Sequence, residues 1–143
     1  MSDSLITNDP GLSVYFSVDV DGVDLGSWTS CRGLGMEIET TPRGDTAMSF
    51  FMHQLSGVVK YTNLVLARPI SPDTEKVLAW FKSFSELPIP TAAVVQALSP
   101  AGALVMTWEM YGVIPVKWTG PSFDAGDLKV ATEELELAYN GFL

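Results

Sequence analysis

The stretch YGVIPVKWTGPSF, from Tyr111 to Phe123, limits the folds that this chain can adopt. Its β-branched and aromatic residues are typical of a strand. Its two prolines cannot donate to a sheet ladder, so such a strand is not expected to be central and paired throughout on both sides. The stretch therefore predicts a strand that leaves backbone and apolar surface unpaired within its own sheet.

The last part of the chain, LKVATEELELAYNGF, is rich in Glu, Leu and Ala, which favour helix. Its pattern favours a strand instead, because one set of side chains alternates with another at a period of two. The first set is Glu133, Leu135, Leu137 and Tyr139, and the second is Glu134, Glu136 and Ala138. We predict a strand here.

Other strand patterns are distributed along the chain. Asp21-Gly22 is a strong turn pair between alternating apolar positions, which predicts a hairpin. In Gly33–Thr41, Met36 and Ile38 face one way and Glu37 and Glu39 the other. Further strands are predicted over 60–68 and in a hairpin that turns at 99–102, whereas 42–47 is a predicted loop and 48–55 is ambiguous.

One segment, SPDTEKVLAWFKSF, predicts a helix with Ser71 as N-cap and Pro72 at the first helical position. Its apolar stripe has helical spacing and must pack on something: Val77, Trp80, Phe81 and Phe84. The predicted fold is mainly β (α+β), an antiparallel β-barrel or sandwich with this one amphipathic helix packed against it. We treat 1–143 as a single domain in which 1–10 form a flexible or interface arm.

Composition excludes several classes of protein. The 143 residues are 47% hydrophobic and 17% charged, which suits a folded domain. No apolar run of about 18 residues and no signal-peptide pattern is present, so we expect no membrane span and a protein that is made and kept in the cytoplasm. The net charge of −9 argues against stable nucleic-acid binding. Cys31 is the only cysteine, which rules out an intrachain disulfide and a cysteine zinc cluster.

The sequence carries little that suggests chemistry. His53 is the only histidine and lies among apolar residues, so we expect a structural role and no metal site or cofactor. Glu134 and Glu136 would lie on one strand face about 6–7 Å apart, a spacing compatible with a hydrolase. Acidic side chains on the solvent face of a strand are ordinary, so we expect no enzyme.

Three ordered motifs resemble the inner tail-tube proteins of contractile phage tails and extracellular contractile injection systems. The C-terminal motif is carried by Pro115, Lys117, Trp118, Gly120, Pro121, Val130, Glu133, Leu135, Glu136, Leu137 and Gly141. The opening motif is carried by Gly33, Leu34, Glu37 and Glu39. The middle motif is carried by Leu55, Gly57, Lys60, Tyr61, Asn63, Leu66 and Arg68.

The resemblance implies a non-enzymatic subunit. Six copies would close a ring, rings would stack into a hollow tube, and strands of neighbours would join around the lumen. The implied partners are a contractile sheath protein, a baseplate or tube initiator, tape-measure or cap proteins, and cargo (effectors or DNA) passing through the lumen. Sheath contraction would drive the tube through a target envelope.

Two groups of residues are candidates for these contacts. Candidate subunit-interface residues are Pro115, Lys117, Trp118, Pro121, Met48, Phe50, Phe51 and His53. Trp118 has two open interpretations, as an anchor at the subunit boundary or as a core residue of its own chain. Candidate acidic residues facing the lumen or the sheath are Glu37, Glu39, Glu134 and Glu136. The alternative function is a small-ligand-binding β-barrel.

Overall fold

The computed structural model describes residues 14–39, 58–122 and 131–143. The predicted arm over 1–10 and the ambiguous segment 48–55 lie outside these ranges. The candidate interface residues in that segment, Met48, Phe50, Phe51 and His53, are therefore outside the described part of the chain.

The described residues form ten strands and one helix. The strands before the helix are β1 Tyr15–Val20, β2 Val23–Trp28, β3 Ser30–Arg32, β4 Met36–Glu39, β5 Val58–Tyr61 and β6 Leu64–Pro69. The helix is α1, Thr74–Glu86, and the later strands are β7 Thr91–Leu98, β8 Leu104–Thr119, β9 Thr132–Ala138 and β10 Gly141–Phe142.

Eight of these strands form one antiparallel sheet, and the other two form a separate pair. The order in the large sheet is β2-β1-β7-β8-β9-β6-β3, with β10 beside β8, whereas β4 pairs with β5. β2 and β3 are separated by Thr29 alone, yet β2 pairs with β1 and β3 with β6. The two ends of the strand path are thus neighbours along the chain but do not pair with each other.

The core lies between the two halves of the folded sheet. Side chains from β1 and β7 share one buried cluster with side chains from β6 and β9, among them Val18, Val95, Leu66 and Leu135. On β9 the residues Glu133, Leu135 and Leu137 are buried, as is Tyr139 just after the strand, and they alternate with more exposed ones, which confirms the period of two. Within the described ranges the mainly β prediction with one helix is confirmed, as a sandwich-like sheet that does not close into a barrel.

The first hairpin forms as the sequence predicts. Asp21 has φ of 50° and Gly22 has φ of 80°, so both central residues of the turn adopt the left-handed conformation. That is the two-residue turn whose twist matches the flanking strands, and Asp-Gly is one of the pairs that tolerate it.

The helix begins later than predicted. α1 starts at Thr74, and Asp73 stands at the cap position without a side-chain capping bond, so the prediction of Ser71 as N-cap is wrong. Ser71 instead closes a tight turn, in which its carbonyl accepts a hydrogen bond from the Thr74 N–H at 3.0 Å and its hydroxyl accepts one from the Asp73 N–H at 3.2 Å. Of the predicted apolar stripe, only Val77 is fully buried.

Candidate assembly surface

β8 changes partner halfway along its 16 residues. On one side it pairs with β7 from Leu104 to Val113, and on the other side it pairs with β10 and β9 from Met110 to Thr119. Within the described residues, residues 104–108 have no strand partner on the side opposite β7, and residues 114–119 have none on the side opposite β9. Such edges are templates for pairing with another chain. The prediction that this strand is not paired throughout on both sides is confirmed.

Two irregularities make this change of partner possible. Between the Ala93–Met110 and Thr91–Val113 pairs, β8 holds one residue more than β7, and Gly112 there has φ of +64°. The extra residue changes which side chains of β8 point inward, because a bulge shifts the inward–outward alternation of side chains by one residue. A second irregularity follows Pro115, which is buried opposite Leu137.

Trp118 is half-buried and contacts the core of its own chain. Its Nε1–H donates a hydrogen bond to Oε1 of Glu133 at 2.8 Å, and its ring packs against the buried cluster. Gly120 allows the chain to fold back over this ring, since a β carbon there would lie 2.7 Å from Cη2 of Trp118. Pro121 lines an open hollow of about 350 Å³ beside Trp118. The Trp118 ring thus packs partly against the core of its own chain and is partly exposed at this hollow.

A buried ion pair, which the sequence analysis did not predict, lies behind Trp118. Nε of Arg68 donates to Oε2 of Glu133 at 3.0 Å, and their side chains are only 3% and 0% exposed. The hydroxyl of Thr74, the first residue of α1, also donates to Oε2 of Glu133. The signal for this pair was a glutamate at an inward position of an alternating strand, which requires a buried partner.

The candidate acidic residues of β9 have partners on the outer face of the sheet. Oε1 of Glu134 forms an ion pair with Arg32 at 3.2 Å, and Oε2 of Glu136 accepts a hydrogen bond from Nδ2 of Asn63 at 2.9 Å. Lys117 is exposed and lies opposite Glu136 in the strand register. This face therefore carries mixed charge.

The other two acidic candidates lie on the two-stranded sheet. Glu37 is exposed and pairs in register with Lys60, and Glu39 ends β4 opposite Val58. The structure thus places Glu134 and Glu136 together on the large sheet, and Glu37 and Glu39 on a different one.

Two strand regions expose apolar side chains side by side. On the two-stranded sheet, Met36 and Ile38 are 62% and 59% exposed, and Val58 and Val59 are exposed as well. At the start of β8, the consecutive residues 104–106 are all exposed, with Met106 at 52%. Contiguous exposed apolar surface marks interaction sites. The second region coincides with the unpaired edge of β8.

The described residues offer little for chemistry or for crossing a membrane. Among them, no group of three or more His, Cys, Asp or Glu side chains is arranged to hold a metal ion. Burial raises the pKa of the Cys31 thiol to about 11, which leaves it a poor nucleophile near neutral pH. No helix in the described ranges has the length and hydropathy needed to span a bilayer.

Comparison with known proteins identifies relatives of the same fold. The chain is similar to a protein in the cryo-EM structure of the sheath–tube complex of PVC, an extracellular contractile injection system, in its extended state. That match has a TM-score of 0.70 and 24% identity, and it covers 100% of this chain and 97% of the other. A protein of the anti-feeding prophage baseplate matches with a TM-score of 0.64 and 20% identity, covering 100% of this chain and 96% of the other.

A more distant similarity extends to Hcp1 from Salmonella typhimurium, with a TM-score of 0.55 and 13% identity over 90% of this chain and 83% of the other. No protein of curated function matches the sequence. The model of the T4-like virus tail tube protein gp19 family matches residues 12–143, which is most of the chain. The chain therefore belongs to this family of tail tube proteins.

Proposed function

We propose that six copies of this chain close a ring by strand pairing at the free edge of β8, and that rings stack into the hollow tube of a phage tail or tail-like particle. The observation that carries the proposal is the pairing of β8 in a chain of the tail tube family. Among the described residues, 104–108 lack a strand partner on one side of β8 and 114–119 lack one on the other side. A neighbour's strand would satisfy the unpaired N–H and C=O groups and cover the apolar side chains beside them.

The ring requires a head-to-tail contact, in which two different surfaces of the chain meet. Such contacts generate a closed ring when the rotation between neighbours closes, and an open filament when it does not. The similar protein of the anti-feeding prophage belongs to a baseplate described with sixfold symmetry, which supports six as the number of copies.

The candidate interface residues take distinct roles in this proposal. Pro115 and Pro121 flank the segment where β8 loses its partner on one side, and exposed Lys117 between them meets an acidic side chain of the neighbour. Trp118 contributes the part of its ring that its own core leaves exposed. Met48, Phe50, Phe51 and His53 belong to the connection between β4 and β5, which we assign to contacts with the next ring.

The acidic candidates remain assigned to either the lumen or the sheath. Glu134 and Glu136 share one outer face with Arg32 and Lys117, so this face presents both signs of charge to whatever passes it. A polar surface without apolar patches would let effectors or DNA slide without adhering. The same mixture could pair with a sheath subunit of complementary charge.

Similar proteins suggest the larger assembly. One belongs to a sheath–tube complex, one to a sheath/tube terminator and one to a tube-terminating cap. We propose that this tube likewise lies inside a contractile sheath, starts on a baseplate with an initiator and tape-measure protein, and ends at a cap. The subunit would be non-enzymatic and would assemble in the bacterial cytoplasm, and sheath contraction would drive the tube and its cargo through a target envelope.

Electron microscopy of the purified protein tests this proposal. Negative-stain images should show rings, or filaments of uniform width, and rotational averaging of end-on views should give sixfold symmetry. A monomer that persists at high concentration, together with no rings in extracts of the native host, would contradict the proposal. Rings with another number of subunits would contradict the sixfold part alone.

The alternative, a small-ligand-binding barrel, requires a closed barrel with an interior cavity, which the described residues do not form. The sheet does not close, and its interior is filled by the side chains of the core cluster. A panel of lipids and metabolites should therefore leave the thermal unfolding midpoint unchanged.

A further inference from the structure

The Arg68–Glu133 pair connects five elements at the corner of the fold. Arg68 lies on β6 and Glu133 on β9, and the pair reaches Thr74 at the start of α1 and Trp118 near the end of β8. Nη1 of Arg68 also donates to two carbonyl oxygens of β2, that of Leu25 at 2.6 Å and that of Ser27 at 3.3 Å. We call Arg68, Thr74, Trp118 and Glu133 the corner network.

The contacts of the corner network are directional. Each carboxylate oxygen of Glu133 has a donor, since Oε1 accepts from Trp118 and Oε2 accepts from Arg68 and Thr74. The guanidinium of Arg68 also stacks over the Trp28 ring, 3.7 Å from its centroid. A planar guanidinium with fixed donors holds its partners in one relative orientation, whereas apolar contacts tolerate sliding.

Two glycines make room for this network. A β carbon at Gly26 would lie 2.8 Å from Nη1 of Arg68 and 2.5 Å from Oδ2 of Asp73. A β carbon at Gly120 would lie 2.7 Å from the ring of Trp118. The backbone of β2 at Gly26 and the backbone after β8 at Gly120 therefore lie so close to the network that a residue with a β carbon would clash with it.

Stability alone does not account for a buried ion pair. Removing two charges from water costs free energy that the attraction between them often fails to offset, and apolar replacements in other proteins have been neutral or stabilising. What such a pair can supply is a single conformation. Here the relevant conformation is that of residues 114–119, the part of β8 that has a strand partner on only one side in the described part of the chain.

We propose that the corner network holds the end of β8 and the start of α1 in the one arrangement that a neighbouring copy can join, and that tube assembly depends on it beyond its effect on stability. Arg68 and Glu133 act by positioning, because both are buried and cannot contact a neighbour themselves. This inference rests on the proposed function, in which the unpaired edge of β8 pairs with another copy.

The decisive variant replaces the pair by apolar residues, Arg68→Met with Glu133→Leu. Its control is Lys76→Gln, which removes the exposed ion pair between Lys76 on α1 and Asp73. Under conditions in which the parent protein forms rings, we expect the control to assemble as the parent does. We expect the buried double variant to unfold in one cooperative transition but to need at least tenfold more protein to assemble.

Two milder variants cover the case in which the double variant fails to fold. Thr74→Val and Trp118→Phe each remove one donor to Glu133 and keep the ion pair and most of the side-chain volume. Both should unfold within a few degrees of the parent and should assemble severalfold less readily. Assembly of both at the parent's concentration would overturn the proposal, as would normal assembly of the folded double variant.

Hydrogen exchange in the dissociated protein separates this proposal from the proposed function. If the network positions the end of β8, amides over 114–119 should exchange at least tenfold faster in Trp118→Phe than in the parent, while amides of β1 should not change. Unchanged exchange at 114–119 would overturn the positioning role even if no tube forms. Failure of the parent to form rings would count against the proposed function alone.

Discussion

Tyr61, the last residue of β5, packs against Tyr139 just after β9, with ring centroids 5.6 Å apart. Phe142 completes the cluster, at 5.5 Å from Tyr61 and 5.3 Å from Tyr139. These rings join the two-stranded sheet to the core of the large one. The apolar residues at the far end of β4 and β5 are exposed, so the aromatic cluster is the contact that anchors this end of the two-stranded sheet.

Tyr61→Ala should loosen the two-stranded sheet. The substitution removes two aromatic contacts from a partly buried site, so we expect a loss of about 1–3 kcal/mol in the free energy of unfolding. Urea unfolding measures the loss, and hydrogen exchange should rise in 36–39 and 58–61. Tyr61→Phe keeps the ring contacts and is the control. Equal stability of the Ala variant and the parent would show that the cluster is not an anchor.

Gly112→Ala should destabilise the corner of β8. The residue has φ of +64°, and a β carbon there would lie 2.4 Å from Nδ2 of Asn140. We expect a cost of about 1–3 kcal/mol from backbone strain and the clash. Gly35→Ala is the control, because its nearest neighbour would be 3.7 Å away and its φ is not positive. Matching urea midpoints for the two variants would contradict this account.

Trp118→Ala should impair assembly more than it impairs the solubility of the monomer. The variant removes a ring that packs partly on its own core and lies beside an open hollow. We expect a soluble protein that elutes as a smaller species than the parent in size-exclusion chromatography. Coinciding elution profiles of variant and parent would show that Trp118 has no role at the boundary between subunits.

Met106→Lys should block assembly and leave the monomer intact. The side chain is 52% exposed at the unpaired edge of β8, so we expect a change in unfolding free energy within about 0.5 kcal/mol. A charge on such an edge opposes strand pairing with another chain. Met106→Leu keeps the apolar character and should assemble normally in negative-stain images. Tubes formed by the Lys variant would place the interface elsewhere.

Ionisation of Cys31 should lower the free energy of unfolding in alkaline solution. Burial raises the pKa of its thiol from 9.0 to about 11, so the folded state favours the neutral thiol. The contribution is fully present below pH 9 and is lost as pH rises from 9 through 11, since the unfolded chain ionises first. The unfolding midpoint of Cys31→Ala should therefore fall less steeply across this range. Parallel curves for the variant and the parent would contradict the prediction.

Local patterns were sufficient for many elements of this fold. The hairpin at Asp21-Gly22 formed because that pair tolerates the left-handed conformation of its turn. β9 formed as a strand despite its helix-favouring composition, because its alternation matches burial on one face of a sheet. The start of α1 was misplaced, since a serine before Pro72 can close a turn as readily as it can cap a helix.

The candidate site was only partly predictable. The proline-interrupted stretch indicated an incompletely paired strand, and the period of two grouped Glu133 with Leu135 and Leu137 on one face of its strand. That Arg68, 65 residues away, would be the partner of Glu133 depends on β6 and β9 being neighbours in the sheet. No local pattern encodes that choice. The partners of Glu134 and Glu136 were equally invisible in the sequence.

The sequence by itself determined that most of the described segments are strands, that one of them is a helix, and that one face of β9 alternates with the other, because these features depend on periodicities within a few residues. Only the tertiary structure decided the strand order, the buried corner network and the two stretches of β8 that have no strand partner on one side among the residues described. Those features depend on contacts between distant residues, whose free energy is set by which elements pack together and not by the composition of any one of them.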